Sequence, residues 1–194
     1  MNIINVGYRS TNYYALEIAN GKLLFDCGWP GTMPQFAAEL KRKGIPPAEI
    51  QYVLVSHFHT DHAGLVQEFK NLGAKFILLE SQVNFIGPLN DFHKRKKTPF
   101  TEIFEDGSFI LKFEDSRKFL ASIGMSGEII STPGHSDDSI TLILDEGFAF
   151  TGDLPPRSLV PDENQVMKES WNKIYSHKIT QVFPAHGNQY ARVA

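Results

Sequence analysis

The stretch "SHFHTDHAGL", residues 56–65, decides the interpretation of this chain. It places three histidines and one aspartate, all residue types that bind metals, within six positions. The run "QYVLV" before it is typical of a buried strand. Because alternate residues of an extended chain face the same side, His57 and His59 are expected to converge on one ion. Asp61 and His62 follow at the turn into the next helix, where they can face a second ion. Imidazole and carboxylate ligands suit zinc and neighbouring transition metals.

Length and composition indicate one globular domain. The chain has 194 residues, of which 42% are hydrophobic and 21% charged, and we expect a single domain over residues 1–194. The net charge of -3 argues against a general nucleic-acid binder. The first residues lack a signal-peptide pattern, no apolar run reaches membrane-spanning length, and Cys27, the only cysteine, cannot form an internal disulfide. We therefore expect a cytoplasmic protein with no membrane contact.

Strand and helix patterns alternate along the chain. Asn20-Gly21 lies between "NYYALEI" and "KLLFDC", and residues 145–147 lie between "SITLILD" and "FAFTGD", which predicts two β-hairpins. The runs "QYVLVS" and "KFILLE" read as buried strands. Four apolar stripes at helical spacing, the last around Trp171, are typical of helices that pack on a core. These patterns predict a mixed α/β fold.

Three more ligand-type side chains follow apolar runs further along the chain. His135 lies in "STPGHSDDS", Asp153 in "FAFTGD" and His186 in "QVFPAHG". Because an open α/β architecture gathers the ends of its strands on one rim, these side chains are expected to join the histidine cluster.

The motifs "HFHTDH", "PGHS", "TGD" and "PAHG", in this order, resemble those of the metallo-β-lactamase-fold hydrolases, as does Asp26 at the end of "KLLFD". The resemblance covers residues 12–187. It implies an αββα sandwich of two mixed β-sheets flanked by helices, with the metals on one edge. The metal motifs are similar to those of glyoxalase II, but we expect no counterpart of its C-terminal glutathione-binding domain.

The resemblance assigns the ligands residue by residue. It gives three histidines to a first metal ion: His57, His59 and His135. It gives three residues to a second ion: Asp61, His62 and His186. Asp153 would bridge the two ions. Asp26 would lie outside the ligand set and orient the metal-binding histidines. The cofactors are expected to be two divalent ions, most simply zinc, with iron or manganese as alternatives that the ligand types do not exclude.

The implied reaction is a hydrolysis. Metal binding lowers the pKa of water from ~15.7 to about 7, and two ions can hold the resulting hydroxide between them. Asp61 is expected to orient this nucleophile while it binds metal. The formal charges of two dications, two aspartates and a hydroxide sum to about +1, which favours negative charge on a substrate oxygen. The expected substrate is a small molecule, which can itself be anionic: an ester, thioester, lactone or phosphodiester.

Two alternatives remain at this point. An iron-dependent redox enzyme of the same fold, similar to the persulfide dioxygenases, has overlapping motifs. A non-catalytic relative that keeps the fold for binding is disfavoured, because all seven ligand positions are filled. The bridging Asp153 also departs from the β-lactamases of this fold, which do not use an aspartate there.

The segment 81–115 is the least readable part of the chain. It contains the basic run "DFHKRKK", residues 91–97. Such a run more often forms a solvated surface, with His93 exposed, and the alternative is contact with anionic groups of a substrate. Arg157 and Tyr190, shortly after ligand positions, are further candidates for substrate contact.

Overall fold

Two β-sheets pack face to face in the computed structural model, which describes residues 2–192. The first sheet has six strands in the order β1 to β6: Ile3–Asn5, Tyr14–Ile18, Gly21–Phe25, Ile50–Leu54, Lys75–Leu79 and Phe109–Leu111. The second has five in the order β11-β10-β9-β8-β7; from β7 to β11 they are Gly127–Ser131, Ile140–Leu144, Phe148–Gly152, Gln181–Pro184 and Tyr190–Ala191.

Both sheets are mixed. In the first, β1, β2 and β3 pair antiparallel, and β3 to β6 pair parallel. In the second, β9 and β10 are parallel and the remaining pairs antiparallel. The two predicted hairpins are confirmed as β2–β3 and β8–β9. Gly21 has a φ of 107°, which a glycine adopts without steric strain, at the first of these turns.

Helices cover the outer faces of the sandwich. In chain order α1 to α6 they are Met33–Arg42, Thr60–Ala63, Val66–Asn71, Ile86–Lys96, Ser116–Ser122 and Gln165–Ser176. Phe36 of α1 and Phe69 of α3 pack on the outer face of the first sheet. Trp171 and Ile174 of α6 pack on the outer face of the second. The predicted αββα sandwich is therefore confirmed.

Strand β4 shows how the core positions the site. Its alternate residues point to opposite faces of the sheet. Leu54 packs between the two sheets, whereas Val53 and Val55 pack beneath the helices. All three are fully buried, so the residues that follow leave the sheet at a fixed point on its edge.

The segment 81–115 contains most of a short helical turn (Glu80–Phe85), then α4, the edge strand β6 and a second short helical turn (Phe113–Asp115). The prediction that His93 is exposed is wrong, because its side chain is only 1% exposed. Its Nδ1 lies 2.6 Å from the Thr98 hydroxyl, and its ring stacks on Phe100 at 4.2 Å. His93 lies one helical turn after buried Leu89, on the inner face of α4. This helix is amphipathic, but its charged residues make the apolar stripe hard to recognise in the sequence. No helix within residues 2–192 is both long and apolar enough to cross a membrane.

Candidate metal centre

All seven candidate ligands lie at one edge of the sandwich, each in a loop that follows a strand or in the helical turn α2. The structure gathers them into two groups. Ligand-type atoms within each group lie within 4.8 Å of one another. The first group is His57, His59, His135 and Asp153; the second is Asp61, His62 and His186.

The first group converges on one side of Asp153. Nε2 of His135 lies 3.0 Å from Nδ1 of His59 and 3.4 Å from Oδ2 of Asp153. Nε2 of His57 lies 3.9 Å from the same Asp153 oxygen. His57 and His59 thus face the same point, as the alternation of an extended chain predicts.

The second group lies on the other side of the Asp153 carboxylate. Nε2 of His62 and Nε2 of His186 are each 3.2 Å from Oδ1 of Asp153. The same two nitrogens lie 3.4 and 3.3 Å from Oδ2 of Asp61. One carboxylate therefore presents each of its oxygens to a different group.

Buried polar atoms without a hydrogen-bond partner indicate whether this arrangement fits metal ions. Nε2 of His57, Nε2 of His62 and Oδ1 of Asp153 are buried; although the last two lie 3.2 Å apart, none of the three has a partner in hydrogen-bond geometry among the described residues. Buried polar atoms almost always have a partner, so a convergent set without one needs an explanation. Imidazole lone pairs and carboxylate oxygens that point at common centres fit divalent metal ions.

A buried network behind the histidines fixes which nitrogen faces the site. Oδ2 of Asp26 lies 2.9 Å from Nδ1 of His62 and 3.0 Å from the Ser56 hydroxyl, and Oδ1 accepts a hydrogen bond from the Ser56 amide at 2.7 Å. The Ser56 hydroxyl also lies 2.9 Å from Nδ1 of His57. With their Nδ1 atoms engaged, both imidazoles present Nε2 to the site. Asp26 itself is fully buried and has a φ of 61°, which is uncommon outside glycine.

The electrostatics of the groups keep the carboxylates ionised. Burial raises the pKa of Asp61, but the charge of His62 and the Thr11 hydroxyl outweigh it, so this pKa lies below its usual range. The pKa of Asp153 is lowered in the same way, since His62 and His186 outweigh burial. Burial lowers the pKa of His57, and the neighbouring imidazoles lower it further. The neutral imidazole of His57 and the ionised carboxylates of Asp61 and Asp153 are in the protonation states that bind metal.

Residues that sequence reasoning did not identify hold the ligand loops together. Oδ2 of Asp138 accepts a hydrogen bond from the Phe58 amide at 2.7 Å, and Oδ1 accepts one from the Ser136 hydroxyl at 2.7 Å. Gln82 donates through Nε2 to the carbonyl oxygens of Val55 and Asp138 at 3.1 and 3.2 Å. In the sequence, Asp138 is not distinguishable from the exposed Asp137 beside it.

The loop between β1 and β2 supports the second group. The Thr11 hydroxyl donates to Oδ2 of Asp61 at 3.0 Å. Nδ1 of His186 donates to the Ser10 carbonyl at 2.7 Å, which directs its Nε2 to the site. These contacts join residues that are far apart in sequence, so no local sequence motif predicts them.

A cleft of about 960 Å³ opens beside the two groups. His59 and Asp61 line it, as do several residues of α4 and its flanking segments. Neither Arg157 nor Tyr190 is among the residues that line it. Tyr190 instead packs against the apolar cluster around Trp171, so the expectation that it contacts substrate finds no geometric support.

Comparisons with known proteins identify relatives over almost the whole chain. The sequence profile of the metallo-beta-lactamase superfamily matches residues 6–167. A probable metallo-hydrolase of Methanocaldococcus jannaschii is 28% identical, with 97% of this chain and 92% of the relative aligned. An atrochrysone carboxyl ACP thioesterase of Emericella nidulans is 29% identical, with 93% and 52% aligned. A metallo-beta-lactamase family protein from Thermus thermophilus shares the fold, with a TM-score of 0.73 at 18% identity over 97% of this chain and 73% of that one.

The chain spans 59%, 56% and 52% of the length of three of the curated relatives that it matches.

Proposed function

The chain belongs to the metallo-beta-lactamase superfamily, and we propose that it is a hydrolase with a binuclear metal centre that cleaves a carboxylic thioester or ester. The first ion would be held by His57, His59 and His135. The second would be held by Asp61, His62 and His186. Asp153 would bind both. Zinc is our choice of metal, because the ligands are nitrogen and oxygen atoms and the reaction requires no redox change.

The two-sided geometry of Asp153 carries this proposal. Its Oδ1 lies 3.2 Å from His62 and His186, and its Oδ2 lies 3.4 Å from His135. A site for a single ion needs no carboxylate between two separate imidazole groups. The arrangement supports two ions that share one carboxylate.

The residues around the centre have separable roles in a hydrolysis. Two divalent ions there would supply a hydroxide from water near neutral pH and positive charge for the oxyanion that develops on the substrate. Asp61 lines the cleft and is fixed by Thr11, so its ionised carboxylate is placed to accept a hydrogen bond from the attacking water. Asp26 and Ser56 hold the imidazoles of His57 and His62 in one orientation.

The cleft and the relatives favour a carboxylic acid derivative as substrate. The walls carry several apolar and aromatic side chains, which suit the organic part of an ester or thioester. One relative is named a thioesterase, which supports a thioester as first choice. Lactones and phosphodiesters are less favoured, because no feature of residues 2–192 selects a ring or a bridging phosphate.

A substrate panel on protein of measured metal content tests the proposal. We expect hydrolysis of thioesters or esters by the wild type and a loss of kcat of at least about a hundredfold in Asp61→Ala. Asp137→Ala is the matched control, because Asp137 is an exposed aspartate that belongs to neither group. Absence of turnover for every substrate class, or equal turnover by the Asp61 variant, would contradict the proposal. Iron-dependent oxygen uptake with a persulfide would favour the redox alternative.

A further inference from the structure

The cleft beside the metal-binding groups combines a long apolar wall with two cationic side chains. One wall follows α4 and the residue before it, through Phe85, Pro88, Leu89, Phe92, the largely buried His93 and Lys96. At 1.5 Å per residue, the helical path from Phe85 to Lys96 is about 16 Å long. Trp29 and Phe58 lie on other parts of the lining, so an occupant would have aromatic contacts on more than one side.

The two cations of the cleft are Arg9 and Lys96, and neither forms an ion pair with a carboxylate within residues 2–192. The Arg9 guanidinium lies 5.9 Å from the centre of the Trp29 ring and 3.4 Å from the Gln35 side-chain oxygen. Charge of this kind at the edge of an apolar cleft attracts an anion.

The two carboxylates in the cleft are already engaged elsewhere. Asp61 accepts a hydrogen bond from Thr11, and Asp138 accepts from Phe58 and Ser136. Within residues 2–192, neither carboxylate forms an ion pair with Arg9 or Lys96. Both cations are exposed, so they are accessible to the anionic group of a ligand.

We propose that the substrate carries an apolar arm that ends in a carboxylate. The arm lies along α4, against Phe92 and Leu89, and its carboxylate pairs with Lys96 and Arg9. The inference rests on the proposed function, since it names the substrate class of the same site. Of the basic run 94–97, only Lys96 lines the cleft, so the remaining three cations belong to the solvated surface that such runs usually form.

Matched pairs of thioester substrates test whether the site prefers a terminal carboxylate. Each pair has the same chain length and differs only in ending with a methyl or a carboxylate group, first on the acyl side and then on the thiol side. The wild type is expected to have a higher kcat/KM for the carboxylate member on one of the two sides. Lys96→Gln should reduce that preference about fivefold, the upper range for an exposed ion pair, and Arg9→Gln should act in the same direction. Lys94→Gln is the control, because Lys94 is exposed on the same helix but outside the cleft.

A pair of phenylalanine variants tests the apolar arm. Phe92 is 40% exposed and lines the cleft, whereas Phe104 is 55% exposed and does not. Across a series of thioesters with increasingly long apolar arms, kcat/KM should rise with arm length. Phe92→Ala should reduce this gain, because it removes apolar contact with the arm. Phe104→Ala should leave that gain unchanged.

Thioether analogues, which cannot be hydrolysed, separate this inference from the proposed function. Calorimetric binding of the carboxylate-ended thioether, weakened about fivefold by Lys96→Gln, supports the inference even if no thioester or ester is turned over. Hydrolysis with no preference for a carboxylate on either side, and no effect of Lys96→Gln, overturns the inference while the hydrolase proposal stands. Absence of both hydrolysis and binding contradicts both.

Discussion

Asp26 holds His62 from behind: its Oδ2 lies 2.9 Å from Nδ1 of the imidazole, while Nε2 of the same ring faces Asp153 at 3.2 Å. Burial acts to lower the pKa of His62, but the carboxylates of Asp26 and Asp153 outweigh it and hold this pKa well above its ordinary value. The ring therefore has a fixed orientation and lies in a strongly negative environment. A divalent cation at Nε2 would meet the same negative charge.

Replacement of Asp26 by Asn should weaken metal binding. The amide retains the size of the side chain but provides less negative charge behind His62. Loss of such an outer partner reduces metal affinity by about 10- to 100-fold. Competition with a chromophoric chelator measures the change, and Asp137→Asn, at an exposed aspartate, serves as control. Unchanged affinity in Asp26→Asn would show that the buried network does not support the ligands.

Truncation of Asp138 should destabilise the fold and loosen the centre. Asp138→Ala leaves the buried Phe58 amide without its acceptor, whereas the Ser136 hydroxyl keeps the Ser139 hydroxyl as a partner at 2.8 Å. An unsatisfied buried donor costs about 1–3 kcal/mol in the free energy of unfolding. Urea unfolding of Asp138→Ala and Asp137→Ala compares the buried with the exposed neighbour. Equal stability of the two variants contradicts this role for Asp138.

A methyl group at Gly152 should disturb the support of the histidines. Gly152 has a φ of 55°, and a Cβ there would lie 2.6 Å from both Cβ and Oγ of Ser56. Gly152→Ala is expected to lower the free energy of unfolding by about 1–3 kcal/mol or more, from backbone strain and overpacking together. Gly44→Ala isolates the strain, because Gly44 has a φ of 71° and open space around it. A loss no larger in Gly152→Ala than in Gly44→Ala would remove the steric part of this explanation.

The buried His93 should make the stability of the cleft wall depend on pH. Burial lowers the pKa of His93, so the unfolded chain binds its proton more readily than the folded protein. The stability that His93 contributes is therefore present above its unfolded pKa of about 6.5 and is lost as pH falls toward the folded pKa. His93→Phe should lose less stability than the wild type between about pH 7.5 and 5.5, the range that spans the unfolded pKa, as measured by urea unfolding. The same pH dependence in both proteins contradicts the prediction.

The parts of the fold that follow from local patterns were predictable from the sequence. Gly21 needs a positive φ at a tight turn, and the alternation along β2 and β3 marks the strands on either side. The four apolar stripes correspond to α1, α3, α5 and α6. The seven candidate ligands also lie close together as expected, because each lies in a loop after a strand or in the helical turn α2, and these segments share one edge of the sandwich.

Features that depend on distant contacts were not predictable. The run 91–97 is dominated by charge, and this pattern hides the inward face on which His93 stacks against Phe100. Asp138 carries no more signal than any acidic loop residue until the Phe58 amide is placed opposite it. The cleft forms between α4 and the loops that bear Arg9 and Trp29, and no sequence pattern relates these segments.

Metal content per chain tests the central claim most directly. Elemental analysis of zinc-saturated, desalted protein should give about two ions per chain for the wild type and about one for His186→Ala, which removes a ligand of the second group only. His177→Ala should keep two ions, because His177 belongs to neither group. A single ion in the saturated wild type, or two ions retained in His186→Ala, would contradict the binuclear centre.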